Sequence, residues 1–164
     1  MKVLVTYFSQ TGNTKKIAEA MYDEIDADKE IKELSEVDSL EGYDLSFIGS
    51  PIIGFGPAQQ LKDFLSAHAA GNKIVLFITH GAREEQPQVQ DWLEECRKAA
   101  AGAELVGLFD CQGELGQQVA EMLIKSDNPE WRAWGEGRAE TIGQPDETRV
   151  QRAREFAREI MENL

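Results

Sequence analysis

The chain has 164 residues, enough for one domain with its own core. Thirty acidic side chains against seventeen Lys and Arg leave a formal charge of −13 at pH 7. That balance disfavours nucleic acid and anionic membranes as partners. It suits a basic protein partner, or solubility alone.

Two cysteines, Cys96 and Cys111, are too few for a disulfide framework. No apolar run approaches the ~20 residues of a membrane span. The start, "MKVLVTYF", meets polar residues too soon for a secretory signal. A cytoplasmic setting is the expectation.

In chain order, the first apolar run is "KVLVTYFS" (2–9), followed by a helical stripe of Ile17, Ala18, Met21 and Ile25. "EIKEL" (30–34) is a weaker run and reads as an edge strand. "YDLSFIGS" (43–50) leads to the stripe Leu61, Phe64, Leu65. "KIVLFITH" (73–80) leads to Val89, Trp92, Leu93, Cys96. "AELVGLFD" (103–110) is the last strand. Residues 114–147 break the pattern: "GELGQQVAEMLIKS" reads as a short helix, and the rest, with Trp131 and Trp134, as a long connection. The final stripe is Val150, Ala153, Ala157, Ile160, Met161 and Leu164, with Arg152, Glu155 and Arg158 on its solvent face.

Near-continuous apolar strands alternating with amphipathic helices predict a parallel sheet covered on both faces. Right-handed crossovers and five strands favour a doubly wound α/β domain of order 2-1-3-4-5. Its ligand crevice lies at the carboxyl ends of strands 1 and 3. No internal repeat or second domain is visible.

The loop after strand 1 carries the strongest signal. From Ser9 to Thr14 every residue is polar or glycine: Ser9, Gln10, Thr11, Gly12, Asn13, Thr14. A strand entering a helix there presents free N–H groups and a positive dipole end, which suit an anion. The hydroxyls and amides add donors, and Gly12 allows a close turn. Walker A and the dinucleotide glycine triplet are both missing, so a triphosphate or dinucleotide is not expected. The competing reading is plain helix capping. Six such residues in a row exceed that need, and a phosphate monoester is the expected ligand.

"TYFSQTGNTKKIA" resembles the FMN-phosphate loop of the flavodoxin family. The pattern Ser/Thr-x-Thr-Gly-x-Thr is matched by Ser9, Thr11, Gly12 and Thr14. "DLSFIGSPIIGFGPAQQLKDFL" (44–65), "KIVLFITHGA" (73–82) and "GQPDETRVQRAREFAREI" are similar to further parts of the family. The resemblance implies a flavodoxin-like fold and non-covalent FMN. It implies that the flavin ring lies between Pro51, Ile52, Ile53, Gly54, Phe55 and Gly56 on one side and Thr79, His80 and Gly81 on the other. A third backbone segment, Cys111, Gln112 and Gly113, completes the bed.

Carrier flavodoxins commonly place an aromatic in each ring loop. Here the first offers only Phe55 and the second, "THGAREEQPQ", none. His80 could stack or hydrogen-bond, and Trp131 or Trp134 could close over the ring. The resemblance implies an electron carrier between proteins; the aromatic-free second loop and the tryptophan-bearing connection favour an alternative, a reductase of a small molecule of quinone or tetrapyrrole type, and a flavin-free interaction module is the third reading. Glu84, Glu85, Asp91, Glu94, Glu95 and Glu114 form an expected acidic rim for a basic redox partner. No spacing of His, Cys or carboxylates suggests a metal. His68 reads as a boundary histidine, and Cys96 as core.

Overall fold

In the computed structural model, which describes residues 1–164, β1 (Lys2–Tyr7) is the pivot of the sheet. It pairs in parallel with β2 (Asp28–Glu33) on one side and β3 (Leu45–Ile53) on the other. β5 (Lys73–His80) follows β3, and β6 (Glu104–Gln112) follows β5, also parallel. The order is β2-β1-β3-β5-β6. This is the expected doubly wound order. The shift in numbering comes from β4 (Gly56–Pro57), a two-residue strand that folds back antiparallel on the end of β3.

Two helical layers cover the sheet because its side chains alternate. Val3 and Val5 face a cluster with Ile17, Met21, Val150 and Ala153, from α1 (Asn13–Glu24) and α7 (Glu147–Glu162). Leu4 faces the opposite cluster with Leu61, Phe64, Val89 and Trp92, from α2 (Gln59–His68) and α3 (Pro87–Ala99). Both clusters are fully apolar in their centre, as parallel strands require. α7 ends at Glu162, so Leu164, expected on its apolar stripe, lies exposed beyond it.

The short helix expected after residue 113 is α4 (Gln117–Ile124). The remainder up to 147 differs from the expected long connection and holds two more helices, α5 (Pro129–Glu136) and α6 (Arg138–Thr141). The reason is local. The Asn128 side chain accepts from Glu130 N at 2.9 Å and caps α5, and Pro129 follows with its fixed φ. α4 and α5 cross closely at Gly135, where an added Cβ would stand 2.6 Å from Ala120 O. No helix is long and apolar enough to cross a membrane.

The edge strand β2 is latched by Glu30. Its carboxylate accepts from the Tyr43 hydroxyl and pairs with Lys2 at 3.3 Å and Lys32 at 3.1 Å. The Tyr43 hydrogen bond, then the two lysines, lower its pKa from 4.5 to about 2. A carboxylate depressed in the folded state stabilises it above the ordinary carboxylate range and loses that effect as pH falls. Two outcomes are expected. In thermal melts from about pH 8 down to about pH 2, Glu30→Gln flattens the acid limb relative to the parent chain, and it leaves the limb above about pH 6 parallel. At Gly49 a Cβ would lie 2.0 Å from the Phe77 ring, whereas Gly56 has open space. Gly49→Ala is expected to lose about 1–3 kcal/mol or more in urea unfolding, and Gly56→Ala less than about 1 kcal/mol.

Candidate functional site

The carboxyl ends of β1, β3 and β5 converge on a crevice of about 110 Å3. Ser9, Gln10, Thr11, Asn13 and Thr14 form one wall. Pro51 and Ile52 form the second, and Thr79, His80 and Gly81 the third. Ten of the sequence-derived site residues therefore come together. A further wall is Glu114, Leu115, Gly116 and Val119. Sequence reading placed Glu114 in the acidic rim and missed the other three, whose only signal was a short helical stretch.

The first loop forms an open cradle of free donors. Gly12 turns with φ 95°, a left-handed conformation, and is the residue that caps α1. Gly12 itself has no side chain to cap that helix end. Ser9 Oγ accepts from Gly12 N at 3.1 Å and from Lys15 N at 3.3 Å, which is a local turn function. The N–H groups of Gln10, Thr11, Asn13 and Thr14 have no protein acceptor. Capping thus consumes Ser9 and leaves four neighbouring donors directed by the loop and the helix start. The Thr14 hydroxyl is buried and bonded to the Thr79 hydroxyl at 2.8 Å, which ties the cradle to β5. Asn13 Nδ2 donates to Glu114 O at 2.9 Å, which ties it to the segment before α4.

The ring side is differently organised. Gly54 (φ 63°) and Phe55 (φ 64°) form the two-residue turn between β3 and β4. A phenylalanine with positive φ is unusual. Its ring is held at 4.8 Å from Trp131, 5.7 Å from Trp134 and 5.8 Å from Trp92. Phe55 therefore packs into an aromatic cluster, and Ile53, Gly54, Phe55 and Gly56 do not line the crevice. Trp131 and Trp134 anchor α5 to this hairpin. Cys111 is fully buried against the α1 and α7 layer, and burial pushes its thiol up to about 12. Only its backbone can approach the crevice. Gly113 lies against the Asn13 amide, where a Cβ would be 2.5 Å away.

The His80 side chain is held by two hydrogen bonds and does not face solvent. Its Nδ1 lies 3.0 Å from Ala82 O and its Nε2 2.9 Å from Asp110 Oδ2. The side chain is 0% exposed. It bridges the loop after β5 to β6 and so sets the backbone at Gly81 and Ala82. Next to that loop, Leu115 packs so tightly on Gly81 that a Cβ there would meet it at 2.7 Å.

The acidic rim is partly neutralised. Glu84 pairs with Arg149 at 2.8 Å and Arg152 at 2.5 Å. Glu94 and Glu95 pair within α3, and the Glu114 carboxylate accepts from Gly143 N. Glu85 and Asp91 carry neither an ion pair nor a hydrogen bond. No three His, Cys, Asp or Glu converge as a metal-ligating group.

A phosphorylated flavin fits this site at its phosphate end: four free donors, a glycine turn and no carboxylate side chain among residues 9–14. Its ring needs more than 110 Å3, since small-molecule pockets run from ~300 Å3. Leu115, Gly116 and Val119 line one side of that space.

This arrangement places the chain in a known class. It belongs to the flavodoxin domain family, whose pattern matches residues 4–158. It is 34% identical to the flavodoxin-like domain-containing protein BilS of Clostridioides difficile, over 98% of this chain and 97% of that one. Oxidised flavodoxin 2 from Bacillus cereus superposes over both full chains with a TM-score of 0.63 and 22% identity. A Lactobacillus acidophilus flavoprotein, solved in complex with FMN, covers 66% of this chain and 92% of its own, with a TM-score of 0.53 and 23% identity.

His80→Ala would leave Ala82 O and the inner face of Asp110 without their partner and open a void beside Trp92. The expected loss is about 2–4 kcal/mol in urea unfolding. A loss below about 0.5 kcal/mol would show that the imidazole clamps nothing.

Proposed function

We propose that the chain binds FMN non-covalently, with its phosphate on residues 9–14, and passes electrons between protein partners. The observation that carries this is the set of four unpaired N–H groups, two in the loop and two in the first turn of α1. Membership of the flavodoxin domain family supports a flavin, and the FMN complex of the Lactobacillus acidophilus relative supports FMN. When bound, the flavin supplies the redox chemistry. The chain's own work is binding and orientation. The cradle neutralises the phosphate without a basic side chain in residues 9–14. The Thr14–Thr79 bond keeps the cradle in register with the ring loop. The His80 bridge holds the loop backbone that would face the ring.

A net charge of −13, with Glu85 and Asp91 unpaired near the crevice, supports a basic redox protein as the partner. A second reading is a reductase of a small organic substrate. It rests on the apolar surface near the crevice: Phe55 and Trp131 are each 37% exposed and Val119 48%. A flat apolar molecule would bury that surface, whereas a pure carrier has no need of it.

The test is a flavin titration followed by stepwise reduction. FMN is expected to bind, and riboflavin, which lacks the phosphate, to bind far more weakly. Thr11→Glu places a carboxylate in the cradle and should weaken FMN roughly hundredfold while leaving riboflavin unchanged. Reduction in two resolved one-electron steps supports the carrier. Reduction in one two-electron step, with reoxidation by a quinone, supports the reductase. A chain that retains no flavin would overturn both.

A further inference from the structure

A second cavity, of about 450 Å3, lies behind the ring loop. The sheet order places it. The crevice stands over the ends of β1, β3 and β5, and this cavity stands over the ends of β5 and β6, roofed by α5 and α6. Gly81 lines both, whereas Ala82 and Arg83 line only the second. The volume is within the range of small-molecule pockets.

One buried side chain in it has no task in the fold. Cys111 faces the α1 and α7 layer, so Gln112, the next residue of β6, faces the other side, where Trp134 packs against the cluster of Val89 and Leu93. Gln112 is 8% exposed, and its carboxamide makes no hydrogen bond within the chain. Buried amides are normally paired, and an unpaired one costs stability. The group is not sealed in as Thr6 Oγ1 is, but opens on the cavity. Its polar neighbours are occupied. The Thr141 hydroxyl donates to Arg138 O and accepts from Leu115 N. Arg83 is paired with Glu140, and Glu130 accepts from Gln88. Gln86, half-buried, adds a second unpaired carboxamide.

The free group defines its ligand. A carboxamide presents an acceptor oxygen and a donor N–H2 in one plane. A carboxylate would meet the N–H2 but set its charge against the amide oxygen. An amine would meet the oxygen and leave the N–H2 unpaired. An amide edge, with a donor beside an acceptor, satisfies both. Trp134 adds an aromatic wall, which suits a flat ring. The one guanidinium of the cavity is spent on Glu140, so an anion gains little there.

We propose that this cavity is a binding site for a small neutral aromatic amide, its amide edge paired with Gln112 and its ring on Trp134. The site is separate from the flavin crevice and borders it at Gly81, so an occupant sits against the loop that the His80 bridge holds.

The experiment is a titration of the full chain with nicotinamide, a ring bearing one carboxamide, and with nicotinate, the same ring bearing a carboxylate. Tryptophan emission and the Gln112 side-chain N–H2 signals in NMR are followed, with and without FMN. Nicotinamide is expected to saturate the site at roughly millimolar concentration, as suits so small a ligand, and nicotinate to bind at least about tenfold more weakly. Gln112→Met should remove nicotinamide binding and leave the urea midpoint unchanged or higher, because the amide it deletes has no partner in the fold. Ala133→Phe fills the cavity from an exposed position on α5 and should also remove nicotinamide binding, with FMN binding unchanged. No saturation by about 20 mM, nicotinate binding as tight as nicotinamide, or binding that survives Ala133→Phe overturns the site and leaves the flavin reading standing. A urea midpoint lowered by Gln112→Met shows that the carboxamide serves the fold, and overturns it as well. Displacement of nicotinamide by FMN makes the cavity part of the ring bed, which overturns a separate site and supports the flavin.

Discussion

The structure depends on the burial of β1 on both faces. Val3, Val5 and Leu4 are each fully buried, in two opposite clusters. A strand held that way cannot slip, because a shift of one residue would turn each side chain into the wrong layer. The end of β1 is therefore a fixed point, and the cradle hangs from it. Phe8 N donates to Gly49 O at 2.9 Å, so the loop leaves the sheet at a defined place beside β3. The helix that follows is held by its own apolar stripe. The loop between needs only to turn once, and Gly12 turns it. Its donors stay free because nothing else in the fold asks for them.

Sequence made the sheet and the cradle legible, for different reasons. Parallel strands buried on two faces read as unbroken apolar runs, and these stand out without a register. The cradle is local: its chemistry lies in six consecutive residues. What escaped is what depends on distant pairing. His80 finds Asp110 because Ile78 pairs with Asp110 in the ladder, and that register includes an irregularity between Ile74 and Val75. Leu115 closes on Gly81 from 34 positions away in the chain, and Asn13 bonds Glu114 from 101. Phe55 was legible as the sole aromatic of its loop, but its packing partners, which come from α3 and α5, were not. The α5 start, Asn128–Pro129–Glu130, was present in the letters, but a composition rich in Gly and Glu masked it.

Electrostatics follows the same division. The total charge is a property of the composition, but its distribution is not. Glu84 is taken up by two arginines of α7 and Glu30 by two lysines and a tyrosine. These pairs serve the fold at strand ends and edges, where solvent limits each to a modest contribution. The field that reaches a partner comes from the residues left over. That remainder is smaller near the crevice than a count of acidic letters implies.

The aromatic cluster beside the crevice has an optical consequence. All three tryptophans of the chain, Trp92, Trp131 and Trp134, meet around Phe55, and Trp92 and Trp134 stand 5.8 Å apart. The ultraviolet emission of the intact protein thus originates in one corner and is silent about β2 and α1. A change in the hairpin at Phe55 or in the seating of α5 would therefore be read directly in that emission.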